Sequence, residues 1–387
     1  MSRRLAAISS TAIVLLAVIP ASTARRPRYG GTLRVEIGAE VTSLDAATTP
    51  ANADEASAKD QIDTLIYEHR NADGTFADAG PFRVAEWEPG KHATLAANED
   101  YSGGRPFVDA IEIQMGRASK DRLVDLELNK IDLTEIPAEQ GRRAAERGVR
   151  VSTSQPDELL ALVFVSGRPA ASDVRVREAL ANSIDRDAIV NFILQKEGEA
   201  ASGLLPQWSS GTAFLFSTAA DTQHAKELWS QIAASMKIVL GYDSGDSQEQ
   251  SIAERIVVNA REAGIPITAE PIAVPGLARV KADARLVRMA MTSPSPRPAL
   301  ATFADVLGAS AGIENEALPD DASPQQIYDY QRSVLRSFSV VPIAWVPRVY
   351  GLSTRVRDWR APGPGESWPL ADVWLDNLQA PTEKANP

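Results

Sequence analysis

A strand–helix–strand unit over residues 237–270 constrains the fold of this chain more than any other stretch. The apolar run KIVLGY, residues 237–242, is typical of a strand that is covered on both faces. Asp246 or Ser247 can cap the helix that follows, and Gly264 lies where a helix ends in the left-handed conformation. A second strand follows Gly264, and units of this kind place their two strands parallel, joined by a right-handed crossover. We therefore expect an α/β fold.

Two helical segments are predicted between Ser172 and Gln195. Ser172 or Asp173 can cap the first segment, and Asp185 can start the second. The apolar spacing by itself predicts an amphipathic helix pair that packs on a sheet. The residues expected to face that sheet are Val176, Ala179, Leu180 and Ile184 in the first segment, and Ile189, Val190, Phe192, Ile193 and Leu194 in the second.

Further strands and helices are predicted in the amino-terminal half. Residues 32–38 alternate as a half-buried strand, and residues 82–96 form a hairpin through a Pro-Gly turn. Residues 54–70 are predicted to form one helix. Ser119 can cap a second helix, in which Val124, Leu128 and Ile131 share a face.

Several of these stretches resemble one protein family. DVRVREALANSIDRDAIV (residues 173–190), followed by GEAASGLLPQW (198–208), resembles the central signature of family 5 extracellular solute-binding proteins. These are the peptide- and nickel-type receptors of ABC importers. GGTLRVEIGAEVTSLDAA (30–47) resembles the opening strand of the family, and residues 80–115 resemble its segment that begins with Gly-Pro-Phe.

The resemblance implies a periplasmic-binding-protein-like class II fold, in which two lobes are joined by crossing strands. The first lobe would comprise residues 25–156 and 345–387, and the second residues 157–344. In ordinary members a subsidiary domain separates the opening strand from Gly-Pro-Phe. Here residues 48–79 occupy that interval, so we expect a shortened variant that lacks most of the subsidiary domain.

The amino terminus, residues 1–24, resembles a signal peptide. Arg3 and Arg4 precede an apolar run over residues 6–19, and the small residues 22–24 favour cleavage after Ala24. The alternative is a membrane anchor, but the run is shorter than the roughly 18 to 20 residues of a spanning helix. Export to the periplasm is the expectation.

Composition narrows the classes of partner. The net charge of −11 argues against nucleic acid or an anionic membrane surface as partner. The chain has no cysteine, which excludes disulfides, thiol catalysis, thiolate metal sites and a lipid-modified amino-terminal cysteine. Because Gram-positive receptors of this family are usually held by that lipid, we expect a free periplasmic protein of a Gram-negative cell.

Signs of catalysis are weak. His69, His92 and His224 lack the spacing of metal ligands, and the first and last fall in predicted helices. The sequence Gly-Tyr-Asp-Ser-Gly at 241–245 is not a nucleophile elbow, because serine is not its central residue. Ser244 is better explained as a loop or capping residue. We expect neither an enzyme nor a cofactor.

The ligand site is predicted from the resemblance, which places residues 40–45 and 289–293 at the cleft between the lobes. Peptide receptors of the family carry an aspartate that pairs with the amino terminus of a peptide, and Ser295 stands in its place here. Loss of that counter-charge disfavours a buried amine. Arg297 would favour a carboxylate if it points into the cleft, or is an ordinary surface arginine, and Trp208 either stacks on a ligand or packs under its loop. The predicted ligand-binding residues are Val41, Thr42, Ser43, Trp208, Met291, Thr292, Ser293 and Arg297.

The leading hypothesis is a monomeric periplasmic protein that binds a peptide or another small organic solute and delivers it to the permease subunits of an ABC importer. The alternative is a degenerate, receptor-derived protein that acts as a sensor, chaperone or regulatory partner without transport. A secreted hydrolase that uses Ser244 is a distant third.

Overall fold

The computed structural model describes most of the chain after the predicted signal peptide. The described residues are 26–45, 48–50, 53–70, 76–210, 215, 217–232, 235–272, 282–312, 318–319 and 321–376. The predicted signal peptide at 1–24 lies outside them.

The described chain alternates strands and helices. The strands are β1 (Thr32–Glu36), β2 (Tyr67–Arg70), β3 (Phe76–Ala79), β4 (Phe82–Glu88), β5 (His92–Ala97), β6 (Ala110–Gln114), β7 (Leu133–Ile136), β8 (Arg150–Thr153), β9 (Glu158–Phe164), β10 (Glu199–Ala200), β11 (Ile238–Asp243), β12 (Ile267–Ile272), β13 (Ala284–Ala290), β14 (Val340–Val346), β15 (Val349–Leu352), β16 (Val356–Arg357) and β17 (Trp374–Leu375). The helices are α1 (Ala53–Ile66), α2 (Ser119–Glu127), α3 (Ala138–Glu146), α4 (Pro169–Ser172), α5 (Val174–Ser183), α6 (Arg186–Ala188), α7 (Gln207–Ser210), α8 (Thr222–Trp229), α9 (Ser247–Glu262), α10 (Pro296–Ala311) and α11 (Pro324–Arg336), with a π-helical turn over Ile189–Ile193.

The first sheet has seven strands in the order β4-β5-β6-β1-β7-β15-β8. Strands β6, β1 and β7 are parallel, whereas β15 runs antiparallel to both β7 and β8. Leu33, Val35 and Ile111 are buried in a core that also contains Leu370 and Trp368 from the carboxyl-terminal segment. That segment therefore belongs to the first sheet's side of the molecule.

The second sheet has six strands in the order β10-β14-β9-β13-β11-β12. Strands β11 and β12 are parallel, as predicted for the strand–helix–strand unit, and β13 is parallel to β11. The central strand β9 is buried along almost its whole length, because helices cover both faces of the sheet.

The chain passes between the two sheets twice in the part that the structure describes. It leaves the first sheet after β8 and enters the second at β9, then leaves after β14 and returns at β15. Strand β14 keeps the chain in the second sheet until Val346, two residues past the boundary expected at residue 344. The assignment of residues to two lobes stays a prediction.

Capping signals are confirmed at three helices, whereas the predicted cap Ser119 is the first residue of α2 and Ala118 stands at its N-cap without a side-chain hydrogen bond. The carboxylate of Asp173 accepts from Arg175 N, and that of Asp246 accepts from Gln248 N and Glu249 N. Asp185 caps the short helix α6 by accepting from Ala188 N. The helix α9 ends before Gly264, whose φ of +80° is the left-handed conformation that was predicted.

Arg186 links the helices of the stretch 172–195 to the second sheet. Its side chain is almost fully buried, and its Nε donates to Pro342 O on β14 at 2.8 Å. Its Nη1 points to the carbonyl oxygens of Ala181 and Ile184, at the end of α5. Arg186 thus ties the helices to the sheet, so this stretch has a structural role.

Several predicted elements were wrong. The predicted helix over 54–70 ends at Ile66, and His69 lies on strand β2. On α2 the buried residues are Leu123 and Leu126, whereas Val124 and Leu128 are exposed, because the helix is rotated by one residue from the predicted phase.

The second predicted segment of 172–195 also differs from expectation. Only α6 is α-helical, and the π-helical turn that follows leaves Phe192 at 75% exposure. The wider π turn shifts the register, so Phe192 points away from the sheet whereas Ile189 and Leu194 are buried.

Candidate functional site

The two sheets face each other through the edges at which their parallel strands end. In the first sheet the parallel strands β1, β6 and β7 end at the edge where the chain crosses, since Ile136 at the end of β7 pairs with Val349 at the start of β15. In the second sheet β13 ends at that same crossing, where Ala290 pairs with Glu158. Ligands of open α/β sheets bind outside the carboxyl ends of the strands. We call this region the interlobe junction: the crossing segments 154–157 and 347–348 and the strand ends that flank them.

An ion pair joins the two crossing segments. Arg348 Nη2 lies 2.6 Å from Asp157 Oδ2, and the Asp157 side chain is almost completely buried. Ser154 Oγ accepts from Arg348 N at 2.9 Å and donates to Asp157 Oδ1 at 3.3 Å. Burial raises the pKa of Asp157, although Arg348 opposes this shift. The pair fixes the two crossing segments side by side.

A second polar cluster surrounds Arg288 on β13. Its Nη1 donates to Glu158 Oε2 at 2.8 Å, and its Nε donates to Asp246 Oδ2 at 3.0 Å. Its Nη2 donates to the side-chain oxygen of Gln248, and Glu249 Oε1 lies 3.6 Å from Nε. The guanidinium is therefore saturated by groups of its own lobe.

A further side-chain hydrogen bond crosses the junction between two helices. Gln248 Nε2, at the start of α9, donates to the carboxylate of Glu139, at the start of α3. Burial raises the pKa of Glu139, and nearby Asp246 raises it further, whereas Arg288 lowers it. Two helix amino termini thus approach each other across the junction.

Glu135 on β7 is the carboxyl group of the junction with the strongest perturbation. Its side chain is exposed, and desolvation by the surrounding protein raises its pKa to about 7. Arg348 and Arg122 lower the pKa, while Glu158 and Asp157 raise it. A carboxyl group of this kind can change its charge near neutral pH.

The predicted residues after β1 form one group. Val41 is fully buried, and its carbonyl oxygen accepts from Gly90 N at 2.8 Å. Thr42 donates from both N and Oγ1 to Glu55 Oε1 on α1, at 2.9 and 2.7 Å. Ser43 Oγ donates to Thr48 Oγ1 at 3.1 Å. These bonds hold the loop in place within the first lobe.

The other predicted residues gather around the crossing segment 154–157. Trp208 Nε1 donates to Pro156 O at 3.0 Å, and Met291 N donates to Asp157 O at 2.8 Å. Thr292 Oγ1 shares a 2.9 Å hydrogen bond with Thr302 Oγ1 on α10, and Ser293 Oγ accepts from Ser295 N. Trp208 is 38% exposed, which leaves part of its ring accessible.

Arg297 is turned toward the carbonyl oxygen of Leu318, ahead of α11. It lies in the first turn of α10, and its Nε donates to Leu318 O at 3.0 Å. This contact favours the alternative of an ordinary surface arginine over an arginine that receives a ligand carboxylate. The role of all eight predicted residues in binding stays a prediction.

Gly365 brings the carboxyl-terminal segment against the predicted loop. Its φ is +71°, and a Cβ at this position would overlap with the carbonyl oxygen of Thr292. This approach joins the first lobe's side to the end of β13 at a point where only glycine fits without movement.

Sequence reasoning missed Glu135, Glu139, Gln248 and Arg288. The only signal for Glu135 was an isolated carboxylate, which is also typical of an ordinary surface residue. The partners of Arg288 lie 40 to 130 residues away, so no local pattern could show them. These residues can be recognised only once the order of the strands around the junction is known.

Neither a metal cluster nor a membrane span is found in the described part of the chain. No group of three or more His, Asp or Glu side chains among those residues could hold a metal ion. None of the helices described combines the length and hydropathy required to cross a membrane.

Two sheets that face each other across two crossing segments define the class of two-lobed binding proteins with the periplasmic-binding-protein fold. The model of bacterial extracellular solute-binding proteins, family 5, matches residues 32–310. The match extends over more than half of the sequence, and the chain belongs to this family. Members of the family are solute-binding proteins of transporters and not enzymes.

Individual relatives match a smaller part of the chain than the family model does. The oligopeptide-binding protein AppA of Bacillus subtilis is 29% identical over 127 residues, which is 32% of this chain and 23% of AppA. The match thus spans about a quarter of that relative's length.

Solved structures share the fold. The structure of AppA from Bacillus subtilis with a nonapeptide has a TM-score of 0.71 at 13% identity, covering 91% of this chain and 100% of that one. The dipeptide-binding protein of Pseudoalteromonas sp. SM9913 with Met-Leu has a TM-score of 0.66 at 19% identity, covering 77% of this chain and 64% of that one.

Proposed function

We propose that this protein binds a peptide or another small organic solute at the interlobe junction and delivers it to the permease of an ABC importer. The observation that carries the proposal is the opposition of the two sheets, whose parallel strands end at one shared junction. Two crossing segments allow the lobes to move about a hinge and enclose a ligand.

The relatives support a peptide as the first ligand class. AppA is named as an oligopeptide-binding protein, and one structural neighbour is a dipeptide-binding protein with Met-Leu. The side chains at the junction are polar and charged, which suits a ligand rich in hydrogen-bonding groups.

The proposal also covers the location of the protein, its oligomeric state and its division into lobes. The protein is exported by residues 1–24 and acts in the periplasm as a monomer, and lobe I comprises residues 25–156 and 345–387 around lobe II at 157–344. Residues 48–79, which include α1, β2 and β3, replace most of a subsidiary domain. Amino-terminal sequencing of the exported protein is expected to begin at Arg25.

A ligand screen tests the central claim. Random tri- to pentapeptides, sugars and organic acids are added separately, and the melting temperature is recorded. A ligand at 100 times its Kd adds about 2.7 kcal/mol of stability and raises the melting temperature. Small-angle scattering then measures whether the ligand also makes the protein more compact.

A second function is favoured by two observations. The Gln248–Glu139 hydrogen bond joins the lobes directly, and Ser295 stands where peptide receptors carry an aspartate. A receptor-derived sensor, chaperone or regulatory partner has no need of a free cleft. Failure of all three ligand classes to raise the melting temperature favours this second function.

A further inference from the structure

The carboxylate of Glu135 is left unpaired by the described residues around the junction. Its side chain is exposed at the end of β7, beside Ile136, which pairs with the first residue of β15. Among the residues that the structure describes, its carboxylate forms no hydrogen bond and no ion pair. A ligand in the junction can therefore reach it without displacing a protein group.

Two arginines of the junction, Arg288 and Arg348, are already paired. Arg288 contacts Glu158 and Asp246, and Arg348 contacts Asp157. An anionic ligand group would have to break one of these ion pairs, and breaking a buried pair is costly. The junction thus offers an unpaired anion, and both of these cations are occupied.

The charges that face Glu135 come from every side of the junction. Arg122 on α2 and Arg348 between β14 and β15 are positive, whereas Asp157 and Glu158 at the second crossing are negative. Burial and the two acidic neighbours outweigh the arginines, because the pKa of Glu135 is raised to about 7. The surroundings thus disfavour the ionised form of the Glu135 carboxyl. A bound cation would lower the cost of ionising it.

We propose that Glu135 determines specificity by pairing with an ammonium group of the ligand. This inference rests on the proposed function, because it assigns a ligand class to the same junction. It also reverses the expectation drawn from Ser295: the counter-charge lost from the loop after β13 is supplied from β7 of the opposite lobe.

The pairing requires the ionised form of Glu135. With a folded-state pKa of about 7, the free protein holds this proton below neutrality, so an ammonium ligand must displace it. Affinity for a lysine side-chain ammonium is expected to rise by up to about tenfold per pH unit below pH 7 and to level off above it, whereas affinity for an α-ammonium falls again above that group's own pKa of about 7.7–8.0.

Three peptide mixtures test the proposal and separate the sources of the ammonium group. Random tri- to pentapeptides without lysine or arginine carry only an α-ammonium, the same set after N-acetylation carries none, and an N-acetylated set with one lysine carries only a side-chain ammonium. Retention by the protein is measured by ultrafiltration and mass spectrometry at pH 5.5, 7 and 8. The chains compared are the native one, Glu135→Gln and Glu112→Gln.

Glu112→Gln is the matched control, since Glu112 is an exposed glutamate on β6 of the same sheet. Native chain and control should retain at least one ammonium-bearing set about 10- to 100-fold better than the uncharged set at pH 8. Glu135→Gln should lose this preference and its pH dependence while melting at the temperature of the control.

The other outcomes are distinct. Equal retention of all three sets by the native chain, or an unchanged preference in Glu135→Gln, overturns the role of Glu135 while peptide binding stands. Retention of no set overturns peptide binding itself, and the proposal with it. Because N-acetylation of the ligand is an independent measurement on the native chain, a folding defect of the variant cannot hide the answer.

Discussion

Arg348 Nη2 and Asp157 Oδ2 lie 2.6 Å apart and join the two segments by which the chain passes between its sheets. Asp157 is fully buried. Its backbone N donates to Val346 O at the end of β14, and its carbonyl oxygen accepts from Met291 N just after β13. This ion pair and the backbone hydrogen bonds beside it hold the two crossing segments side by side.

Asp157→Ala is expected to lower the free energy of unfolding by about 3–5 kcal/mol, because it leaves the Arg348 charge buried without its partner. Urea unfolding measures the change. Asp100→Ala is the control, since Asp100 pairs with Arg83 on the surface and its loss should cost less than about 1 kcal/mol. Equal losses in the two variants would contradict the assignment.

Asp132→Asn should make stability less sensitive to acid. The Asp132 carboxylate is fully buried and accepts from Arg355, Arg34 and Ser353. Burial raises its pKa, but the hydrogen bonds from Arg355 and Arg34 lower it more, so its pKa lies below the usual value. A carboxylate of this kind stabilises the fold above its unfolded-state pKa of about 3.9, and this contribution is lost as the pH falls.

The midpoint of urea unfolding is measured for the native chain and for Asp132→Asn at several pH values between 6 and 3. The native chain is expected to be the more stable at pH 6, and the difference between native and variant should shrink toward pH 3. Two parallel profiles would contradict the lowered pKa, because they would show that the pKa of Asp132 is the same in the folded and the unfolded protein.

Gln248→Ala is expected to favour the open arrangement of the lobes. It removes the hydrogen bond to Glu139, and a bond to a charged group is worth roughly 1.5–3 kcal/mol. The ratio of closed to open molecules should fall about tenfold or more. Small-angle scattering of the ligand-free protein should then give a larger radius of gyration.

Gln250→Ala is the matched control for that measurement. Gln250 also lies on α9, but its Nε2 donates to Glu254 on the same helix. Its removal should leave the scattering curve unchanged. A curve for Gln248→Ala that coincides with the control would mean that the cross-lobe bond does not hold the lobes together.

Gly365→Ala should cost more stability than its backbone conformation alone explains. The left-handed conformation costs an alanine roughly 1–2 kcal/mol. Gly264→Ala gives this term by itself, because Gly264 has a similar φ of +80° and a Cβ added there would meet no described atom within 4 Å. The excess loss in Gly365→Ala reports the overlap with Thr292 O, and no excess would argue against close contact there.

Local chemistry made parts of the fold predictable. Asp173, Asp185 and Asp246 cap helices through hydrogen bonds to the next two or three residues, and Gly264 ends a helix in its own conformation. Such signals act over a few residues, so the sequence displays them directly.

Predictions failed where a shift of one residue changes which side chains of a helix are buried. Val124 and Leu128 are as apolar as Leu123 and Leu126, and only the packing of α2 against the first sheet selects the second pair. Phe192 is exposed because a π turn widens the helix, which apolar spacing does not show.

The polar groups of the junction were hidden for a different reason. Glu135 and Arg288 lie on different sheets, and both acquire their character from neighbours that are distant in sequence. Their roles depend on how the lobes meet, and no periodicity within a strand carries that information.

The hydrogen bond from Asp157 N to Val346 O, at 3.3 Å, means that the chain enters and leaves its second sheet at the same place. A segment whose ends touch can be inserted into, or exchanged between, host proteins without stretching the host. The second lobe is therefore a natural unit of recombination, and a chimaera that receives residues 157–346 from a relative keeps the first lobe's sheet order intact. Exchange at this point would transfer the whole second sheet, together with the helices that cover it, in a single event.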